Sequence, residues 1–263
     1  MTFWRKKKDI VLDCYTSNPF AYNFARINYG HHFIPEWWKK TPKEVSIKGI
    51  GTLDGESSTI KKCPGLINHY KKSIIIPLWT ELRLMFYAKN EDKDCAYISS
   101  HDEFSLGAHP KEQFLKFSGE DGYSLKIESP WYLRCREDIQ FTSTQPIWNH
   151  RDTMFHLQML PGTLDFKTQT SPSMNYFFEK KDHRVELNIE PLTPMVMMHP
   201  MSERKVVLKH HYVDNKDTLW KVMSSDFAMF KNRGHGFRFK GQLEKKNQMI
   251  KKVDEMNKDE WKF

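Results

Sequence analysis

Between about residues 73 and 213 the apolar side chains recur mostly with a period of two, or in runs of four to eight. That is the patterning of strands, whose side chains alternate between two faces, and not the 3.6-residue spacing of a helix. Residues 73–79 and 82–87 read as paired or successive strands, and 95–98 as another. Residues 124–128 and 185–189 alternate cleanly, 195–198 form a short apolar run between prolines, and 206–213 close the set. Short strands separated by turn signals predict an all-β sandwich, jelly roll or barrel. The expectation is a mainly-β fold, a single β-sandwich or jelly roll of β-clip or cupin-like type.

The two ends have a different character. Residues 10–14 read as a first strand, broken by Thr16-Ser17-Asn18-Pro19. Around Trp37-Trp38 a single helical turn is expected, started by Pro35 and ended by Pro42; the adjacent tryptophans read as packing. Residues 111–117 suggest a further turn. Past the glycines at 234 and 236, residues 241–263 are polar and Lys/Glu-rich. Met249, Val253 and Met256 form a stripe there, as Trp220, Met223, Phe227 and Phe230 do earlier. These predict C-terminal amphipathic helices. The organisation expected is an N-terminal arm over 1–45, a β-sandwich core over 46–215 and a helical extension over 216–263.

With 263 residues and 14% aromatics, the chain is large enough to bury a core without disulfide or metal staples. Its cysteines, Cys14, Cys63, Cys95 and Cys135, show no C-x-x-C spacing and read as free thiols of a reducing compartment. Cys135 lies between Arg134 and Arg136, neighbours that would lower a thiol pKa if they faced it. The N-terminal run Arg5-Lys6-Lys7-Lys8 is basic, but Asp9 and Asp13 interrupt the stretch that a signal peptide would need apolar. No window approaches the length of a membrane span. The net charge of +8 suits contact with a polyanion.

No Gly-rich phosphate loop, nucleophile elbow or H-E-x-x-H is present. The sharpest metal candidate is the H-x-D pair His150 and Asp152. With His199 or His210 it would make the facial triad of a non-haem Fe(II) oxygenase on a double-stranded β-helix. Arg204, Lys209 or Lys221 would then have to hold the 2-oxoglutarate carboxylate. His210 and His211 are adjacent on a strand and should face opposite sides, as a surface residue and a satisfied core histidine; His31-His32 has the same geometry. His101-Asp102-Glu103 and His109 read as solvated loop residues. Phe237-Arg238-Phe239-Lys240 interleaves aromatics with cations, so Arg238 and Lys240 are candidate polyanion contacts for a single-stranded nucleic-acid binder.

Several phrases carry a resemblance: Pro35-Glu36-Trp37-Trp38-Lys39, Lys62-Cys63-Pro64-Gly65, Ile75-Ile76-Pro77-Leu78-Trp79, Ser129-Pro130-Trp131, and the stretch from Pro194 to Arg204. In their order and spacing over residues 3–215 they resemble proteins of unassigned activity encoded by large tailed phages of marine bacteria. The resemblance implies synthesis in a bacterial host's cytoplasm, with the virion as a further destination. A fainter likeness is to the β-clip jelly roll of dUTPases, carried by Leu160-Pro161-Gly162-Thr163-Leu164-Asp165 and by Ile189-Glu190-Pro191-Leu192-Thr193-Pro194. Gly162 and Asp165 match the spacing of that family's Gly-x-x-Asp segment. The Pro-Arg-Ser-Gly phosphate phrase is absent, no tyrosine follows the Asp, and Leu192-Thr193 stands where a Gly-Asp pair belongs. The likeness therefore implies architecture and opposes that activity.

The reading that joins these strands is a phage-encoded accessory or virion-associated β-sandwich protein. It would bind a phage or host macromolecule without catalytic activity. The Fe(II) oxygenase and the single-stranded nucleic-acid binder are the alternatives. Jelly rolls of this kind often form trimers, so an oligomer is compatible with the reading.

Overall fold

The computed structural model describes residues 8–47, 55–99, 106–109, 122–149, 156–167 and 171–213. The fold is mainly β, with most strand pairs antiparallel. The expected C-terminal helices, the turn at 111–117 and residues His150, Asp152, Lys221, Arg238 and Lys240 lie outside the described residues.

The centre is a five-stranded antiparallel sheet in the order β13 (Gly162–Asp165), β11 (Gln140–Thr144), β16 (Pro194–Pro200), β5 (Ile74–Pro77), β2 (Asn28–Tyr29). Its inner strands explain two apolar runs in the sequence. Ile74, Ile75, Ile76 and Pro77 are all buried, as are Met195 to Met198. Ile74, Ile76, Met195, Val196 and Met198 face the main core. Ile75 and Met197 face a second cluster with Leu66 and Tyr70. A sheet covered on both faces needs continuous apolar runs, whereas a half-buried strand alternates.

Two sheets of the alternating kind pack around that core. One is β15 (Val185–Ile189), β6 (Leu82–Phe86), β7 (Cys95–Ser99). The other is β12 (Gln158–Met159), β14 (Met174–Glu179), β9 (Gly122–Ile127), β8 (Leu106–Ala108). Leu82, Leu84 and Phe86 point inward between Arg83 and Met85, as do Met174, Tyr176 and Phe178 on β14. Phe86 stacks on Phe178 with ring centroids 3.8 Å apart, joining the two sheets. Each large side chain removed from water here stabilises the fold by about 2 kcal/mol.

The N-terminal strand is part of the same body. β1 (Ile10–Thr16) is the middle strand of a three-stranded sheet, antiparallel to β10 (Tyr132–Cys135) and parallel to β17 (Val206–Tyr212). Ile10, Leu12 and Cys14 have no exposed surface. The parallel pair brings the first and last described strands together, a pairing no local pattern announces. Between β15 and β16 the chain turns through Pro191 and Leu192, with the Thr193 amide donating to the Glu190 carbonyl. Leu192 has φ 67°, the left-handed value that the third residue of a type II turn requires and that glycine adopts without strain.

Outside the sheets, residues 30–72 form a helical layer. It holds a 3-10 turn at Gly30–Phe33, α1's successor α2 (Glu36–Lys40), a 3-10 turn at Ile60–Lys62 and α3 (Pro64–Lys72), with α1 (Pro19–Asn23) preceding it. A hairpin of β3 (Glu44–Ile47) and β4 (Gly55–Ser58) branches from the layer. Pro35 caps α2, as the sequence led us to expect. α3 was not foreseen: Pro64 sits in its first turn, and Leu66 and Tyr70, four residues apart, are its buried stripe. Among the described residues no helix is long and apolar enough to cross a membrane.

Candidate functional site

The histidines proposed as metal ligands are held by backbone. His199, on β16, donates from Nε2 to the His69 carbonyl at 3.1 Å, and its ring lies 4.6 Å from that of His69 on α3. His210, on β17, donates from Nε2 to the Ile27 carbonyl at 2.8 Å and meets Trp131 edge-on. The two belong to different sheets, and burial lowers the pKa of both. Among the described residues no three His, Cys, Asp or Glu side chains are gathered to hold a metal ion. The Fe(II) set therefore has two members with separate structural bonds and two, His150 and Asp152, outside the described residues.

The other candidates separate in the same way. His211 lies opposite His210 in the strand alternation; it bonds Asp13 Oδ1 at 2.9 Å and stacks on Tyr15. His109 donates to Asn175 at 3.3 Å. Arg204 forks onto Glu137, with Nη2 to Oε1 at 2.8 Å, and donates from Nε to the Lys8 carbonyl at 2.6 Å; its guanidinium is occupied. Asp165 ends β13 and accepts from the Lys167 amide at 2.9 Å, the bond of a turn residue. Gly162 begins the same strand. Cys135 does not become reactive: it is buried, and burial raises its pKa. All four cysteines are free.

Sequence reasoning missed the feature that the fold does assemble, a cleft of ≈ 460 Å³ at the edge of the five-stranded sheet. His31 and His32 form one wall, Lys71 and Lys72 a second, and Arg204 and Lys205 a third. Gly30 makes the first wall fit. Its amide donates to the Ser73 carbonyl at 2.8 Å, and a Cβ there would stand 1.9 Å from Ser73 Oγ and 2.7 Å from the Tyr70 carbonyl. The 3-10 turn can thus lie directly against the end of α3. The charge in the cleft is unbalanced. Glu203 enters it, but pairs with Lys72. Lys71 and Lys205 are exposed and form no ion pair among the described residues. Burial and the neighbouring His32 both lower the pKa of His31.

The sequence segment that holds the helical layer, which supplies two of these walls, is basic. Residues 31–72 carry eight lysines against four carboxylates, while the strand-rich residues 73–213 carry sixteen Lys and Arg against nineteen Asp and Glu. The signal was present in composition, yet nothing in the sequence placed Lys71 beside Lys205. Their walls meet only because β5, which follows α3, lies next to β16, which leads into residues 201–205.

No family model, curated protein or solved structure matches the chain.

Proposed function

We propose that this is a non-catalytic binding protein that holds an anionic macromolecule across the cleft between residues 31–32, 71–72 and 204–205. The observation that carries the reading is the cleft itself, where cations from two separate stretches of chain, 71–72 and 204–205, converge and two lysines have no carboxylate partner among the described residues. Unpaired lysines on a surface repel one another, and a bound polyanion relieves that repulsion while releasing its counterions. The histidines on the cleft wall and beneath it act through packing and backbone bonds in this reading. A phage-encoded accessory or virion-associated role agrees with it, since such a protein works by contact with other macromolecules. The phage assignment itself rests on the sequence resemblance.

The test is the affinity for fluorescein-labelled heparin at about 50 mM salt, where such contacts are strong. Lys71→Glu combined with Lys205→Glu should weaken binding about tenfold, at roughly 0.7 kcal/mol for each reversed surface charge. A wild-type protein that ignores heparin at low salt would sink the proposal.

A further inference from the structure

The helical layer has a second face, and its chemistry differs from that of the cleft. Here two tryptophans from distant parts of the chain come together. Trp37 on α2 donates from Nε1 to the Trp148 carbonyl at 2.9 Å, and the rings stand 6.0 Å apart with 39° between their planes. Trp148 keeps 39% of its surface exposed and its neighbour Ile147 keeps 52%. Large apolar groups are rarely left to water in adjacent positions without a partner that covers them.

The exposure is built into the fold. Trp148 lies in the 3-10 turn Ile147–Asn149. Asn149 anchors that turn from behind: it accepts from the Tyr70 hydroxyl at 2.8 Å and donates to the Phe33 carbonyl. With Asn149 tied to α3 and to the first 3-10 turn, the tryptophan before it is held out beside Trp37. The adjacent Trp38 takes the other course. It packs against the cluster of Leu66, Tyr70, Ile75 and Met197, and its Nε1 reaches the Ile60 carbonyl. The two neighbouring tryptophans thus divide, one to the apolar cluster and one to Trp148.

Cations follow Trp37 closely in the chain. Lys40 follows Trp37 by three residues on α2, which puts the two on one side of the helix. Lys40 and Lys43 are exposed and form no ion pair among the described residues, whereas Lys39 and Lys62 are taken up by Glu36 and Glu44. An exposed ring, with unpaired lysines three and six residues along the chain from its partner Trp37, matches a ligand that is both aromatic and anionic.

We infer that the Trp37–Trp148 face binds single-stranded nucleic acid, with a base stacked on Trp148 and the backbone phosphates drawn to Lys40 and Lys43. This rests on the polyanion reading of the cleft and names its ligand. An acidic protein would use the lysines and leave the rings idle. A duplex keeps its base faces stacked on one another and offers none to a tryptophan, while every unpaired base has a free π-face. The turn that carries Trp148 is tied through Asn149 to Tyr70 and Phe33, the sequence neighbours of Lys71 and His32 on the cleft walls, so one strand can follow its phosphates from the face to the cleft.

The experiment compares three fluorescein-labelled probes on the full chain: an oligothymidylate of about twenty nucleotides, its duplex with oligoadenylate, and heparin, which has charge but no bases. Two variants separate stacking from bulk. Trp148→Leu keeps an apolar side chain without a π-face, and Trp148→Phe keeps a ring. We expect Trp148→Leu to weaken oligothymidylate at least about fivefold, the lower end of one stacked base's contribution. Heparin binding should stay within about twofold, and Trp148→Phe should recover most of the oligothymidylate affinity. Lys40→Glu should weaken oligothymidylate as well. If Trp148→Leu leaves oligothymidylate binding unchanged, or if the duplex binds as tightly as the single strand, the inference is overturned while heparin binding keeps the polyanion reading intact. If no probe binds the wild type, both fall.

Discussion

His199, His69 and His210 show how a histidine is kept neutral without a metal or a carboxylate beside it. For each, burial is the largest cause of a lowered pKa, and for His69 the neighbouring His199 adds to it. Their folded-state pKa values lie below that of an unfolded-chain histidine, so the unfolded state binds protons first as pH falls. The stability these rings permit is fully present above the unfolded value of about 6.5 and is lost as pH drops from there through the folded values. The carboxylates with lowered pKa, Glu91 and Glu137 among them, titrate at lower pH and do not blur this window. Urea unfolding midpoints should therefore fall between about pH 7 and pH 5.5, and His199→Gln should flatten part of that fall. A midpoint constant over the window would show that the histidines protonate without disturbing the fold. The same residues mark how far single positions were legible in the sequence. That His210 and His211 must face opposite ways followed from strand alternation alone. That His199 would stack on His69, seated on an unforeseen helix, did not, because the contact joins residues 130 positions apart.

At the scale of elements, patterning read the strands well where one face is wet. β6, β9 and β15 stand close to their expected bounds because alternation reports a half-buried strand directly. α3 escaped, since only Leu66 and Tyr70 of its nine residues are buried, too few to set a helical period. β10 escaped for the opposite reason: Tyr132, Leu133, Arg134 and Cys135 are all buried, and no period survives. Elements are also tied to one another by bonds that no period reveals. Lys180, just after β14, is 5% exposed. It reaches Asp94 Oδ1 and the Lys93 carbonyl, both at 2.9 Å, and the Glu91 carbonyl at 3.3 Å. It therefore fastens the turn between β6 and β7 to the neighbouring sheet. On the same turn, Arg184 grips Glu91 and holds its carboxyl down at about 2. Lys180→Met keeps the apolar stem but leaves those acceptors without their cation. Breaking a buried pair costs about 3–5 kcal/mol, and the partial exposure of Asp94 brings the expected loss to about 2–3 kcal/mol. In a chain of this size that lowers the melting temperature by roughly 5–10 °C. A shift under about 2 °C would mean that the turn holds without its latch.

Along the chain, the surplus charge is segregated from the strand-rich segment. The β body carries slightly more acid than base, while the surplus cations sit in the N-terminal run, in the helical layer of residues 31–72 and in residues 214–263. Composition revealed the surplus but not its geometry, because the cleft is assembled from segments that meet only through the strand order β16-β5-β2. Such a molecule should bind polyanions through a few released counterions and not through its overall charge. The dependence on salt makes this measurable. Each lysine that neutralises one phosphate of a single strand adds about 0.7 to the slope of log affinity against log salt. With Lys71 and Lys205 in the cleft and Lys40 and Lys43 at the tryptophan face, oligothymidylate binding should have a slope of about −3, near 0.7 for each single-strand phosphate contact. Lys71→Glu with Lys205→Glu should make it shallower by one to two units. Trp148→Leu should lower the affinity and leave the slope unchanged, because stacking releases no ions. If the double variant lost affinity at every salt with the slope intact, the lysines would be acting on the fold and not on the phosphates. If Trp148→Leu flattened the slope, the ring would be positioning cations and not receiving a base.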